Sequence, residues 1–290
     1  MIKRFFEFLL TFLFFVNFSF SQDKIDDKVN SENKKVTVIS LSPAITETLF
    51  YFGYGENIIG RTDYCTYPSE AKQISSMGSM FSPNVEKIVY IKPDYIIFQS
   101  HYDKRLKKQV EDMGLKTLTL ETPTSIKEIL EDYAIILSIF NVDLDKNEKF
   151  IAIKRNIEML IENGKKIKNR PKIYYSLGSG HVEYTAGKGS FIDDAINIVG
   201  GKNIVEDSGW TYPLEALIVK QPDIIIISKV KYEAMLSNSK YNQLEALKDS
   251  ERVIIAEEDE ITISTPRLLL ITLNKIQKAI LDFNYRNNRE

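Results

Sequence analysis

From Val36 onward, short apolar runs rich in β-branched residues alternate with stretches whose apolar positions recur every three or four residues. Such alternation predicts α/β layers built on parallel sheets. Six runs read as strands: Val36 to Leu41, Tyr95 to Phe98, Thr117 to Leu120, Ile173 to Leu177, Ile224 to Ser228 and Val253 to Ala256. Several are almost continuously apolar, as expected of strands covered on both faces. Helix starts are marked by Ser42 with Pro43, Ser82 with Pro83, Ser125 with Glu128, Asp145 with Glu148, and Ser190 with Asp193. Each pair fits an N-cap, a capping box or a proline in the first turn.

The chain also repeats itself. Pro93-Asp94-Tyr95-Ile96-Ile97-Phe98 returns as Pro222-Asp223-Ile224-Ile225-Ile226-Ile227. The same offset places a short helix expected over Ser82 to Ile91 on Thr211 to Lys220, and Glu86 on Glu215. At a shorter offset, Gly53-Tyr54-Gly55-Glu56-Asn57-Ile58 resembles Gly200-Gly201-Lys202-Asn203-Ile204. Two similar lobes follow, with loops of different length. Between them, Ser125 to Lys168 holds few breakers, and Phe150, Ile153, Ile157, Leu160 and Ile161 keep a helical rhythm. A helix over Leu144 to Ile167 would be roughly 36 Å long. The expected architecture is α/β: two Rossmann-like lobes, each a mostly parallel sheet flanked by helices, joined by one long backbone helix. The lobes span 36–124 and 170–290, with a helical connector over 125–169. One continuous helix makes a stiff hinge, so small changes of lobe angle are expected.

Composition narrows the class. The 43% hydrophobic and 27% charged content is that of a globular chain. With 38 Lys and Arg against 40 Asp and Glu there is no global positive field for nucleic acid. Lys3 and Arg4 precede an apolar run, Phe5 to Phe20, and Ser19 and Ser21 suit cleavage before Gln22. Residues 1–21 therefore read as a secretory signal peptide, with an uncleaved anchor as the alternative. Residues 22–35 read as a disordered lead-in. Cys65 is the sole cysteine, so no cysteine at the cleavage site carries a lipid. A periplasmic, unlipidated, soluble product is expected.

The usual catalytic motifs are missing: no phosphate loop, no Gly-x-Gly-x-x-Gly after a strand, no His-Glu-x-x-His, no cysteine pair. Gly178-Ser179-Gly180 lacks a third glycine, and Gly187-Lys188-Gly189-Ser190 reads as a turn with an N-cap serine. His101 and His181 are too few for a three-histidine zinc cage. Each follows a predicted strand, where it reads either as a solvated loop histidine or as an axial ligand to haem or cobalt. Cys65 reads as a small buried residue.

Several strings carry a more specific likeness: Ile39-Ser40-Leu41-Ser42-Pro43-Ala44-Ile45-Thr46-Glu47, Tyr64-Cys65-Thr66-Tyr67-Pro68, Asn84-Val85-Glu86-Lys87-Ile88, Lys92-Pro93-Asp94, Gly200-Gly201-Lys202-Asn203-Ile204 and Ser264-Thr265-Pro266-Arg267. Through them the chain, from Val36 to about Phe283, resembles the cobalamin and iron-siderophore/haem class of periplasmic binding proteins, and most closely the cobalamin-binding members. The resemblance implies a ligand held between the lobes, with no catalytic residue or catalytic cofactor. It also implies docking of a monomer on the permease of an ABC importer driven by its ATPase. One glutamate per lobe would pair with permease arginines, here Glu86 and Glu215. The plainer reading is that both favour the positive end of a short helix.

Strand ends facing a gap between lobes are the natural ligand contacts. In the first lobe these are Tyr64, which matches the family's ligand-contacting tyrosine, with Ser42, Met80, Phe81, Gln99 and His101. In the second they are Ser179, His181, Trp210, Tyr212 and Arg267. Aromatic walls from Tyr64, Phe81, Trp210 and Tyr212 would suit a flat macrocycle. Met80 and Gln99 stand where cobalamin binders often carry tryptophan. Haem would need an axial donor, His101, His181, Tyr64 or Met80; a ferric siderophore would use Arg61 and Arg267. A corrinoid ranks first, haem second, siderophore third. The rivals are an exported enzyme in the same cleft, for which no base and nucleophile are paired in the sequence, and a scaffold protein that has lost its ligand.

Overall fold

In the first lobe the buried run Val38–Ser40 forms β1, the centre of a parallel sheet. It pairs on one side with β2 (Ile58–Arg61) and on the other with β5 (Tyr95–Gln99), which pairs in turn with β6 (Thr117–Leu120). A two-stranded hairpin, β3 (Gly78–Ser79) with β4 (Ser82–Pro83), precedes β5. Helices α1 (Pro43–Phe52), α2 (Val85–Ile91) and α3 (Lys104–Asp112) belong to this lobe, and α4 (Ile126–Ser138) and α5 (Glu148–Lys166) form the connector. The second lobe is built the same way. Its sheet runs β12 (Val253–Ala256), β11 (Ile224–Ser228), β7 (Lys172–Tyr175), β9 (Lys202–Asn203), all parallel. A hairpin of β8 (Glu183–Tyr184) with β10 (Thr211–Tyr212) precedes β11, and helices α6 (Phe191–Ile198), α7 (Leu214–Lys220), α8 (Lys229–Leu236) and α9 (Leu273–Asn287) complete it. This computed structural model describes residues 35–79, 81–99, 104–178, 182–257, 260 and 263–289. Among them, no helix is long and apolar enough to cross a membrane. The expected signal peptide lies outside the described residues, as does the lead-in up to residue 34.

The internal repeat is structural down to single hydrogen bonds. Asp94 Oδ2 accepts from Thr37 N at 2.9 Å, and its repeat mate Asp223 Oδ2 accepts from Lys172 N at 2.7 Å. Each aspartate thereby clips the start of the central strand to the strand that follows it in sheet order. The residues that end α2 and α7, Lys92 and Gln221, both have positive φ, at 53° and 48°. Non-glycine residues rarely do so, so their coincidence at equivalent positions marks a shared turn.

Two expected helix starts shift for a local reason. Ser82 and Pro83 enter the hairpin, and α2 begins after Asn84, whose side chain accepts from Lys87 N. In the same way Thr211 and Tyr212 form β10 and α7 starts at Leu214. The backbone helix covers Glu148–Lys166, not Leu144 to Ile167: Asn147, rather than Asp145, caps it by accepting from Phe150 N. Its 19 residues give roughly 28 Å.

One hydrophobic core runs through the connector. It joins Phe52 of α1, Ile129 and Tyr133 of α4, Phe150 and Ile157 of α5, Ile173 and Ile226 of the second sheet, and Leu273 and Ile280 of α9. Both lobes accordingly fall in a single compact unit from Thr37 onward. A shared apolar seam resists large relative motion, because opening it would expose buried area at about 25 cal/mol per Å². In the last turn of α5, Gly164 lets α6 approach: an added Cβ would lie 2.1 Å from Ile198 O and 3.0 Å from Gly200 N. In an open helix, alanine in place of glycine stabilises by about 1 kcal/mol. Here the sign reverses. Gly164→Ala is expected to lower the melting temperature by several degrees in circular dichroism, and an unchanged or raised midpoint would contradict this packing.

Candidate functional site

Parallel sheets of this order bind ligands outside the carboxyl ends of the strands, at the point where the strand order reverses. In the first lobe that point lies between β1 and β5. Ser42 follows β1 at the N-cap position of α1, Gln99 ends β5, and the Ser42 Oγ, instead of capping the helix, donates to Gln99 Oε1 at 3.3 Å across the junction. Beneath them Thr46 Oγ1 donates to Ser40 Oγ at 2.8 Å, and Ser40 Oγ donates to Ser42 O at 3.1 Å. Ser42 is itself buried. It forms the floor of the crevice and orients Gln99, which is partly exposed at the rim.

Tyr64 follows β2 on the same edge and meets Phe81, at the tip of the β3–β4 hairpin, edge to face, with ring centroids 6.2 Å apart at 77°. Phe81 is largely exposed and Tyr64 half-exposed. The Tyr64 loop is anchored from below. Cys65 is fully buried, its N–H donates to Thr62 O at 3.1 Å, and its sulfur lies 3.2 Å from Thr62 Oγ1. The anchored Tyr64 loop and the β3–β4 hairpin together present an aromatic wall.

In the second lobe the order reverses between β7 and β11, and the loop after β7 carries Ser179 and His181. These two lie outside the described residues, as do Met80 and His101. Trp210 is half-exposed. It lines a groove of about 150 Å³ whose walls are Thr122 and Pro123, just past β6, and Gly187 and Gly209 of the second lobe. Backbone bonds from Thr185 N to Trp210 O and from Gly187 N to Gly209 O hold that wall.

Two expected contacts are corrected. Tyr212, only 4% exposed, packs in the second lobe's core with Leu217, Ile225 and Leu244, because β10 turns that side chain inward. Arg267 is bound within the protein: its Nε and Nη2 donate to the two carboxylate oxygens of Glu47 at 2.8 and 2.6 Å, and its guanidinium lies 3.5 Å from the centre of the Tyr67 ring. Arg61, the other arginine considered for an anionic ligand, donates to the carbonyls of Ala71, Thr62 and Lys72. The Glu47–Arg267 pair, with side chains 4% and 11% exposed, ties α1 to the second lobe's last segment. Beside it, Tyr51, Tyr67, Pro266 and Ile271 border a cavity of about 530 Å³. Sequence reasoning passed over Glu47, although α1 is buried from Ala44 to Leu49 and a carboxylate there demands a buried cation. A second buried carboxylate, Glu183, accepts from Tyr241 Oη at 2.7 Å, and burial raises its pKa above the usual carboxylate range. It belongs to the core and not to the crevice.

Glu86 and Glu215 sit at equivalent places in the first turns of α2 and α7, both exposed. The cations near them face their own lobes. Lys87 Nζ donates to Ser75 Oγ and Ser76 O, and Lys220 Nζ pairs with Glu206 at 3.1 Å. Each helix leads straight into the amino end of a strand, β5 or β11, so its first turn lies toward the carboxyl edge, where the crevice opens.

Two equivalent lobes, strand-end crevices and a helical seam define a bilobal binding protein. The match is to a family: the chain belongs to the periplasmic binding protein family, whose model covers residues 38–259. An uncharacterized ABC transporter substrate-binding lipoprotein, YvrC of Bacillus subtilis, is 29% identical over 252 residues, 84% of this chain and 79% of that protein. The vitamin B12-binding protein of Photorhabdus laumondii is 25% identical over 238 residues, 80% of this chain and 84% of the relative. Among solved structures, the apo form of the periplasmic heme-binding protein RhuT from Roseiflexus superposes with a TM-score of 0.73 at 20% identity, covering 86% of this chain and 99% of that one. The expected family and two-lobed α/β fold are borne out.

Proposed function

We propose that the protein captures a corrinoid between its lobes in the periplasm and delivers it to an ABC importer, without chemical turnover. The observation that carries this reading is the exposed Tyr64–Phe81 pair, presented by the loop after β2 and the tip of the β3–β4 hairpin. Large aromatic rings left in water are the feature a macrocycle would cover. Trp210 supplies an aromatic surface from the second lobe, and Gln99, oriented by Ser42, a polar contact at the rim. Charge favours a corrinoid over an anionic chelate, since both Arg61 and Arg267 are engaged by protein acceptors. The vitamin B12-binding relative agrees with this choice. Haem is the second reading. It is favoured by the heme-binding fold neighbour and by Tyr64, an exposed phenol suited to axial ligation of ferric iron.

Glu86 and Glu215 serve as the two charged contacts to the permease, whose ATPase drives transport. The protein acts as an unlipidated monomer, its one cysteine lying buried beneath the ligand wall. Tyr64→Ala/Phe81→Ala is expected to weaken cyanocobalamin binding by at least about tenfold in calorimetric titration, with an unchanged melting temperature because both rings are exposed. A folded variant with unaltered affinity would remove the pair from the site. Steady conversion of cyanocobalamin or haemin by the purified protein would favour the enzyme alternative.

A further inference from the structure

The two helices that carry Glu86 and Glu215 share more than an acid. Residue by residue, Asn84 to Ile91 and Pro213 to Lys220 follow one pattern of exposure: exposed, partial, exposed, partial, buried, partial, exposed, partial. The second exposed position after each helix start is the glutamate's neighbour one turn on. It is Tyr90 in the first lobe and Val219 in the second. At 86% and 82% these are the most exposed of the large hydrophobic residues in the described chain, ahead of Phe81 at 78%. Residues four apart on a helix lie side by side on one face. Each lobe thus presents a carboxylate with an apolar side chain beside it, at repeat-equivalent places.

The apolar side chains do not serve the core. Tyr90 and Val219 are in neither lobe's buried core, and Ile88 and Leu217, fully buried, already anchor the two helices. The nearby lysines are drawn back onto their own lobes, which leaves a face of one negative charge and one apolar group per lobe. We infer that Tyr90 and Val219 are apolar anchors of the docking surface, and that the partner carries two equivalent sockets, each with a basic group next to an apolar hollow. A membrane permease made of two like halves has that form. The repeat argues for it: a partner without two-fold symmetry would give no reason for the same acid-plus-apolar pair on both lobes. Tyrosine in such a place supplies contact area at low entropy cost, while the glutamates set orientation and encounter rate. The inference rests on the permease-docking reading above and extends it.

The two can fail separately. The importer retained from the producing organism's membranes by the immobilised protein, placed in lipid nanodiscs, is titrated with three proteins over a range of salt concentrations: the native chain, Tyr90→Ser/Val219→Ser and Glu86→Gln/Glu215→Gln. Binding and stimulation of ATP hydrolysis are both read, and the melting temperature of each variant is checked. The expected result is that the apolar variant binds about tenfold or more weakly at every salt concentration, with the native salt dependence retained. The charge variant binds weakly with a flattened salt dependence. If only the charge variant is impaired, the apolar anchors are refuted and docking through the glutamates stands. If both variants bind as the native protein does, or the native protein retains and stimulates no importer, the docking reading falls and the anchors with it.

Discussion

Replacing Arg267 by alanine is expected to destabilise the protein by roughly 3 to 5 kcal/mol, the cost of leaving a buried carboxylate without its partner. Glu47 sits in a helix buried on nearly every side, and its two oxygens are matched by two guanidinium donors at 2.8 and 2.6 Å. Removing the cation strands the anion and uncovers the face of Tyr67 that it stacks on. Because the pair bridges the first lobe and the last segment of the second, the loss should also loosen the lobes, visible as faster amide exchange in α1 and α9. The double variant Glu47→Gln/Arg267→Met should recover part of the stability, since neither end then carries a charge to desolvate, while Glu260, 3.8 Å from the guanidinium in the native protein, keeps Lys275 at 3.7 Å. Chemical denaturation checks all three chains. Equal stability of Arg267→Ala and the native protein would mean that the pair contributes nothing to the hinge.

The second large effect is on delivery. Charge reversal at both docking positions, Glu86→Lys/Glu215→Lys, is expected to abolish ligand uptake by cells while the affinity of the purified protein for its ligand stays native. Both side chains are exposed and stand on the first turns of helices that lead into β5 and β11, and neither belongs to the Ser42–Gln99 junction or the aromatic wall. Reversal replaces attraction by repulsion at two places at once, and like-charge contacts at an interface cost several kcal/mol. Each single reversal should leave partial uptake. Native uptake by the double variant would remove these glutamates from the docking surface.

Long apolar strands announced themselves in the sequence. Ile224–Ser228 and Val253–Ala256 lie where the continuous runs place them; in the first, burial on both faces favours an apolar residue at nearly every position, while the second is the edge strand and leaves Ile255 exposed. Ile58–Arg61 and Lys202–Asn203 did not, one interrupted by Gly60 and the other two polar residues long; only neighbouring strands make them strands. The repeat was legible through Pro-Asp followed by an apolar run, although each aspartate's clip reaches the start of a strand more than 50 residues away. What the linear pattern leaves open is direction. Tyr212 in a two-residue strand carries no periodicity to say which face it takes, and it points inward. Arg267 is matched by a glutamate 220 residues away, a distance over which sequence spacing says nothing. Exposure told the remaining part: Tyr64 and Phe81 could be core residues in any pattern count, and their standing free in the structure makes them candidates for a ligand wall.

The central claim is capture of a corrinoid, and an absorption titration of the purified mature protein tests it most directly. Cyanocobalamin, haemin and ferric desferrioxamine B are added in turn, each reporting its own binding through its chromophore. A saturable change at equal stoichiometry with cyanocobalamin, and none of comparable affinity with the other two, is the predicted result. A shifted Soret band on adding haemin, with cyanocobalamin silent, would contradict it and make the crevice a haem site with Tyr64 at its centre.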